Sequence, residues 1–300
     1  MASPKVPYCF LVAAGVGMSI YDTKPDRMLT VLSSDSTLNP MTGVYCAGFE
    51  LEEWRCVPLS RHLVEWLPEY ALVEEELQIH HGNIYVKLSQ AAARVYTSEK
   101  YELRGEAGEI ALHAICRDYF NTIPISPRVF YKSATNDVIK AFDMVHARFP
   151  TSDTFEVWLG ESKLYATPSR AIDDALKSIN MHLERGFLEK QKLLLGPQIP
   201  KSTPNYEKIS AIFKMQSSID EFVDTAVFVV GIATNSKAVG GAKKQTAEYI
   251  ASITNELAAL SKKINVSKLA LKIRLVLLYI PLGSKSKLVF EFDKRLKGLQ

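Results

Sequence analysis

Cysteine is scarce: Cys9, Cys46, Cys56 and Cys116 are the four in 300 residues, and no two stand at zinc-ligand spacing. That argues against a zinc centre and a disulfide framework, and a reduced, cytoplasmic setting is the expectation. Long hydrophobic runs are also missing. The early apolar stretch Cys9 to Ile20 is too short to span a bilayer and is broken by Gly15 and Gly17. Pro4 and Pro7 precede it and no Ala-x-Ala follows, so it reads as a buried strand rather than a leader, and no membrane partner is expected. A Walker loop is absent: Gly240 and Gly241 precede Lys243 without the Gly-x-x-x-x-Gly-Lys-Ser/Thr pattern, so no nucleotide cofactor is expected on this chain. Ser162 lacks the Gly-x-Ser-x-Gly elbow of serine hydrolases. There is no internal repeat and no low-complexity segment.

What remains is an ordinary globular composition, 47% hydrophobic and 23% charged, enough for a filled core in one large domain or two modest ones. Charge is unevenly spread. Residues 1–100 carry eight basic and twelve acidic side chains, 101–200 twelve and thirteen, and 201–300 sixteen and eight. The basic last third holds Lys243, Lys244, Lys262, Lys263, Lys268, Lys272 and Arg274, which suit phosphate contacts or a solvated helix face equally in kind.

Periodicity predicts strands over Tyr8–Ile20, Arg27–Leu32 and Gly43–Phe49, then helices over Leu59–Trp66 and Asn83–Tyr96. A helix over Glu102–Phe120 follows, ended by Asn121 and Pro124. Strands are expected at Val129–Lys132, Val138–Ala147 and Phe155–Tyr165, then one long amphipathic helix from Arg170 to about Leu195. A helix near Tyr206–Gln216, a strand at Val227–Ala233, a helix over Thr246–Ile264 and a strand over Leu269–Ile280 complete the pattern. That order predicts an α/β fold, a mixed sheet covered on both faces. Residues 1–95 form an N-terminal α+β region, and residues 96–300 hold the main domain.

The chemistry lies on those strands. A period of 2 puts Phe155, Val157, Leu159, Glu161, Lys163 and Tyr165 on one face, so two charges end an apolar row. The same rule groups Asp143 with Ile139, Ala141, Val145 and Ala147. Charges on core-facing positions are usually paired or metal-bound, because burying them alone is costly. On the preceding helix, Glu106, Glu109 and His113 fall at i, i+3 and i+7, and Arg117 extends the stripe. Hard carboxylate oxygens of this kind suit Mg2+ or Mn2+. A metal on Asp143 and Glu161 would activate a water against a phosphate, with Lys163 orienting that water or the phosphate. By spacing alone, a surface strand with a salt bridge explains Glu161-Ser-Lys163 as well. His113 reads either as a phosphate or acid contact or as a hydrogen-bonded helix histidine, and His80 and His81 as a surface pair.

Residues 101 to about 195 resemble the core of the PD-(D/E)XK nuclease superfamily, a restriction-endonuclease-like mixed sheet flanked by helices. More closely, Arg104-Gly-Glu-Ala-Gly-Glu-Ile-Ala-Leu-His-Ala-Ile-Cys-Arg-Asp-Tyr-Phe120, Phe130 to Asp143, and Trp158-Leu-Gly-Glu-Ser-Lys-Leu-Tyr165 resemble the HamA family, the nuclease component of Hachiman antiphage defence. His62 to Tyr70 and His81 to Lys87 are similar to that family's upstream region. The resemblance implies Mg2+- or Mn2+-dependent DNA cleavage held in check by a HamB-like superfamily 2 helicase. It implies that Asp143 and Glu161 ligate the metal, that the Ser162 carbonyl is a third ligand, and that Lys163 is the catalytic lysine. Glu109, then Glu106, is the expected helix acid. The superfamily proline before the aspartate is Phe142 here. A non-catalytic, nucleic-acid-binding or regulatory subunit of a helicase complex is the rival reading.

Overall fold

The computed structural model describes residues 19–96, 105–126 and 142–300. The strands expected at Tyr8–Ile20 and Val129–Lys132, and the first part of Val138–Ala147, therefore lie outside the described residues, save that Ile20 opens a short 3-10 turn.

In chain order the elements begin with β1 (Thr30–Asp35), β2 (Met41–Cys46), and the short hairpin β3 (Phe49–Glu50) and β4 (Glu53–Trp54). Helices α1 (Cys56–Glu65), α2 (Leu67–Ala71), α3 (Ile84–Val95) and α4 (Glu106–Phe120) follow. Next come β5 (Ile123–Ser126), β6 (Met144–Arg148), β7 (Glu156–Tyr165), α5 (Pro168–His182), α6 (Arg185–Leu195), α7 (Tyr206–Phe213) and α8 (Ile219–Thr225). The chain closes with β8 (Ala226–Asn235), α9 (Lys237–Gly241), α10 (Ala247–Ser267), β9 (Arg274–Leu282) and α11 (Lys285–Lys297).

One seven-stranded sheet, in the order β1-β2-β9-β8-β7-β6-β5, organises the molecule. β2, β9, β8 and β7 run parallel, while β1, β6 and β5 join through antiparallel pairings. The mixed sheet flanked by helices matches the fold class read from the sequence. β8 and β9 are central and buried on both faces, which is why they read as near-continuous apolar runs. Their side chains alternate between two cores: Val227, Val229 and Ala233 pack with α1, α2, α4 and α11, and Phe228, Val230 and Ile232 with α5, α7 and α10.

Several elements depart from the sequence reading. The long helix expected from Arg170 to Leu195 is two, α5 and α6, because the chain turns at Leu183 and Glu184. Pro124 does not merely end α4; it sits in β5, an edge strand, where a missing N–H costs no ladder bond. The last strand starts at Arg274, after a 3-10 turn over Leu269–Leu271. Helices α2, α8, α9 and α11 and the β3–β4 hairpin have no counterpart in the sequence reading.

Candidate active site

β6 leaves β7 early. Met144 pairs with Gly160, and from Glu161 to Tyr165 β7 is in register with β8. At this divergence the Asp143 N–H donates to the Gly160 carbonyl at 2.8 Å, and the Ser162 N–H donates to Asp143 Oδ2 at 2.8 Å. Asp143 therefore sits in the bend before β6 rather than on its apolar face, and its carboxylate takes over the ladder where the backbone pairing stops. Phe142 is fully buried and anchors that bend, with its ring edge-on to His182 at 4.5 Å and to Phe187 at 5.7 Å.

Glu161 and Lys163 point to the α5 side of the sheet, as the period of 2 requires. Glu161 is 5% exposed and its Oε1 accepts a hydrogen bond from Lys163 Nζ. The Lys163 side chain is 16% exposed. Burial on its own pulls the Lys163 ammonium down; the charge and hydrogen bond of Glu161, with the Asp143 carboxylate beyond it, outweigh that and raise it above its ordinary range. It is a cation at neutral pH. The other Glu161 oxygen lies 3.8 Å from His182 Nδ1, too long for a hydrogen bond. His182 stacks on Phe187 at 4.4 Å. It escaped the sequence reading because it lies just beside the apolar stripe of a helix that begins after the strand ends.

Of the predicted site residues, the fold brings together Asp143, Glu161, Ser162 and Lys163. Glu106 and Glu109 lie on α4. Helix α4 packs on the opposite face of β7, where a Cβ on Gly108 would meet Ser162 Oγ and Leu164 Cβ, each at 2.9 Å. Glu109 accepts a hydrogen bond from the Tyr70 hydroxyl of α2, and Glu106 is buried. Among the described residues no three His, Cys, Asp or Glu side chains are placed to hold a metal ion. Two carboxylates and a backbone carbonyl still fit Mg2+, which takes one or two carboxylates and fills its octahedron with water and phosphate oxygens.

The rest of the α4 stripe is structural. Arg117 is fully buried and donates to Glu69 of α2 and to the Thr122 and Tyr21 carbonyls. His113 Nε2 lies 3.2 Å from Glu69 Oε1, without the alignment of a good hydrogen bond. His113 Nδ1 and His146 Nε2 are 3.0 Å apart, and His146 Nδ1 meets Thr122 Oγ1 at 2.8 Å. Burial above all depresses both histidines: His113 is pulled down further by Arg117 against the pull of Glu69, and His146 falls well below its ordinary range, pushed also by His113 and Arg117. Glu69 is held below its usual range because His113 and Arg117 overcome the cost of its burial. Glu69 and His146 carry no periodic signal and were not read from the sequence. His80 and His81 do form a surface pair, 6.1 Å apart.

Among the described residues no helix is long and apolar enough to cross a membrane. No curated protein and no solved structure matches the chain. One family model does, over residues 26–296, and its description is HamA.

Proposed function

Because this chain belongs to the HamA family, the Hachiman antiphage defence component, we propose that it is a metal-dependent DNA endonuclease restrained by a superfamily 2 helicase of the HamB kind. The observation that carries this reading is the convergence of Asp143, Glu161 and Lys163 where β6 and β7 part, with a lysine held cationic beside two carboxylates. Asp143 and Glu161, with the Ser162 carbonyl, would hold Mg2+ or Mn2+, which supplies Lewis-acid stabilisation of the phosphate and a water of lowered pKa. Lys163 binds the scissile phosphate oxygen or orients the attacking water, and its charge offsets crowding between the carboxylates. Phe142 and the Asp143–Ser162 hydrogen bond keep the aspartate in register with β7. Glu109 of α4 accepts a hydrogen bond from Tyr70 of α2.

The test is plasmid cleavage with Mg2+ or Mn2+, with and without the helicase, by the natural chain, Glu161→Gln and Lys163→Ala. Each substitution is expected to lower cleavage by at least about 100-fold, the usual loss when one transition-state contact is removed. Equal cleavage by all three removes the assignment. A natural chain that binds DNA and the helicase but never cuts would support the binding-subunit reading instead.

A further inference from the structure

The four parallel strands end along one edge of the sheet. Tyr165, Thr234 and Pro281 stand level on β7, β8 and β9, and β2 runs beside β9 with Val44 opposite Tyr279. The segments that leave β8 and β9 at this edge, residues 236–247 and 283–290, carry Lys237, Lys243, Lys244, Lys285 and Lys287 and no Asp or Glu. Next to β2 the same edge holds a cavity of about 540 Å³ under the β3–β4 hairpin, lined by Arg55, Lys243, Lys244 and Gln245, with Glu52 as its carboxylate. Glu52 is taken up by Lys243 at 2.6 Å, so the lining keeps the charges of Arg55 and Lys244 for an outside anion. Lys237 and Lys244 are exposed and have no carboxylate partner among the described residues. A Cβ on Gly240 or Gly241 would meet nothing within 4 Å, so the backbone just before Lys243 stands clear of the fold.

Four other basic residues of the last third are placed or employed differently. Lys268, Lys272 and Arg274 lie at the opposite end of β9, and Arg274 is bound to Glu156 at 2.9 Å and to the carbonyls of Asp224 and Thr225. Lys263 is bound to Asp173 at 2.6 Å. Part of the basic charge of the last third, with no acidic residue in the two segments that carry it, thus gathers on the strand-end edge that also carries Lys163.

We propose that this edge is the track for the phosphate backbone of the nucleic acid, with Lys237, Lys244 and Arg55 contacting phosphates away from the bond that is cut. The proposal rests on the nuclease reading and says where its substrate lies. Three strand spacings of roughly 4.8 Å separate β7 from β2, about 14 Å, or some four base-pair steps of roughly 3.4 Å. One stretch of duplex therefore reaches both Lys163 and the cavity. Cations without carboxylate partners along one such edge suit a repeating polyanion.

The experiment is fluorescence anisotropy of a labelled DNA duplex in EDTA over a salt series, with folding checked by circular dichroism. For Lys237→Ala/Lys244→Ala, two phosphate contacts are lost, so the slope of log K against log salt should shrink by about 1.8 and the Kd should weaken roughly tenfold at moderate salt. Lys268→Ala/Lys272→Ala, at the other end of β9, should change neither. The track is overturned if the edge variant binds as the natural chain does, if both variants weaken equally, or if the edge variant keeps DNA and loses only the helicase. It is also overturned if the natural chain binds no duplex. Binding that depends on Lys237 and Lys244 without Lys163-dependent cleavage would keep the track and remove the nuclease.

Discussion

At the scale of single residues, two buried charge systems share one sheet and do different work. The Glu161–Lys163 pair is partly open and sits where the strands diverge; the Glu69–Arg117 pair is closed and ties α2 to α4. Removing half of a buried pair strands the other charge, so Arg117→Met should cost about 3–5 kcal/mol, measured by urea unfolding. Lys163→Ala should remove cleavage and also lower the unfolding midpoint, because it leaves the buried Glu161 carboxylate without its lysine. The histidines add a pH dependence. His113 and His146 are depressed below their ordinary value of 6.5, so the unfolded chain binds more protons than the folded one once pH falls through that value. Glu69, also depressed, adds a loss of the same sign at lower pH, below its ordinary value of 4.5. Stability should therefore fall from about pH 6.5 downward, by at most about 1.4 kcal/mol per pH unit for each histidine. Thermal unfolding at pH 7.5 and pH 5.5 checks this, and His146→Gln should flatten the difference.

At the scale of elements, the period of 2 along β7 and the apolar runs of β8 and β9 were legible because each strand's environment is written in its own residues. α4 was legible as a helix, but not what its stripe does. Glu106, Glu109, His113 and Arg117 share a face, and helical spacing says nothing about which neighbour that face meets. Here it meets α2, through Tyr70 and Glu69, because Gly108 lets α4 lie against Ser162 and Leu164 on the side of β7 away from Glu161. The sheet has the same need for small residues. A Cβ on Gly160 would come within 2.8 Å of Met144 Cβ and 2.9 Å of Leu112 Cδ2. Gly160→Ala should cost about 1–3 kcal/mol through overpacking. It should also lower cleavage by more than its stability loss explains, because the Gly160 carbonyl holds the Asp143 N–H. Comparing activity and unfolding of that variant at one temperature separates the two effects.

At the scale of the whole molecule, β1 and β2, from the first fifty residues, complete the sheet that the last strand begins, since β2 pairs with β9 across more than two hundred positions of sequence. Both hydrophobic cores draw on early and late segments, with Tyr45 and Leu278 in one and Val44 and Leu277 in the other. Urea unfolding should accordingly be a single transition, coincident by far-ultraviolet circular dichroism and tryptophan fluorescence. Two separated transitions would show that residues 19–96 fold apart from the rest. The α/β class, the approximate place of the main strands and helices, and the pairing of Glu161 with Lys163 were determined by the sequence, because hydrophobic period and strand alternation are local properties. Tertiary structure alone decided that Asp143 reaches Ser162, that α4 packs on the face of β7 away from Glu161, and that Lys237 and Lys244 share an edge with Lys163. Each of those depends on which strand lies beside which and on where two strands part, and no local pattern encodes that.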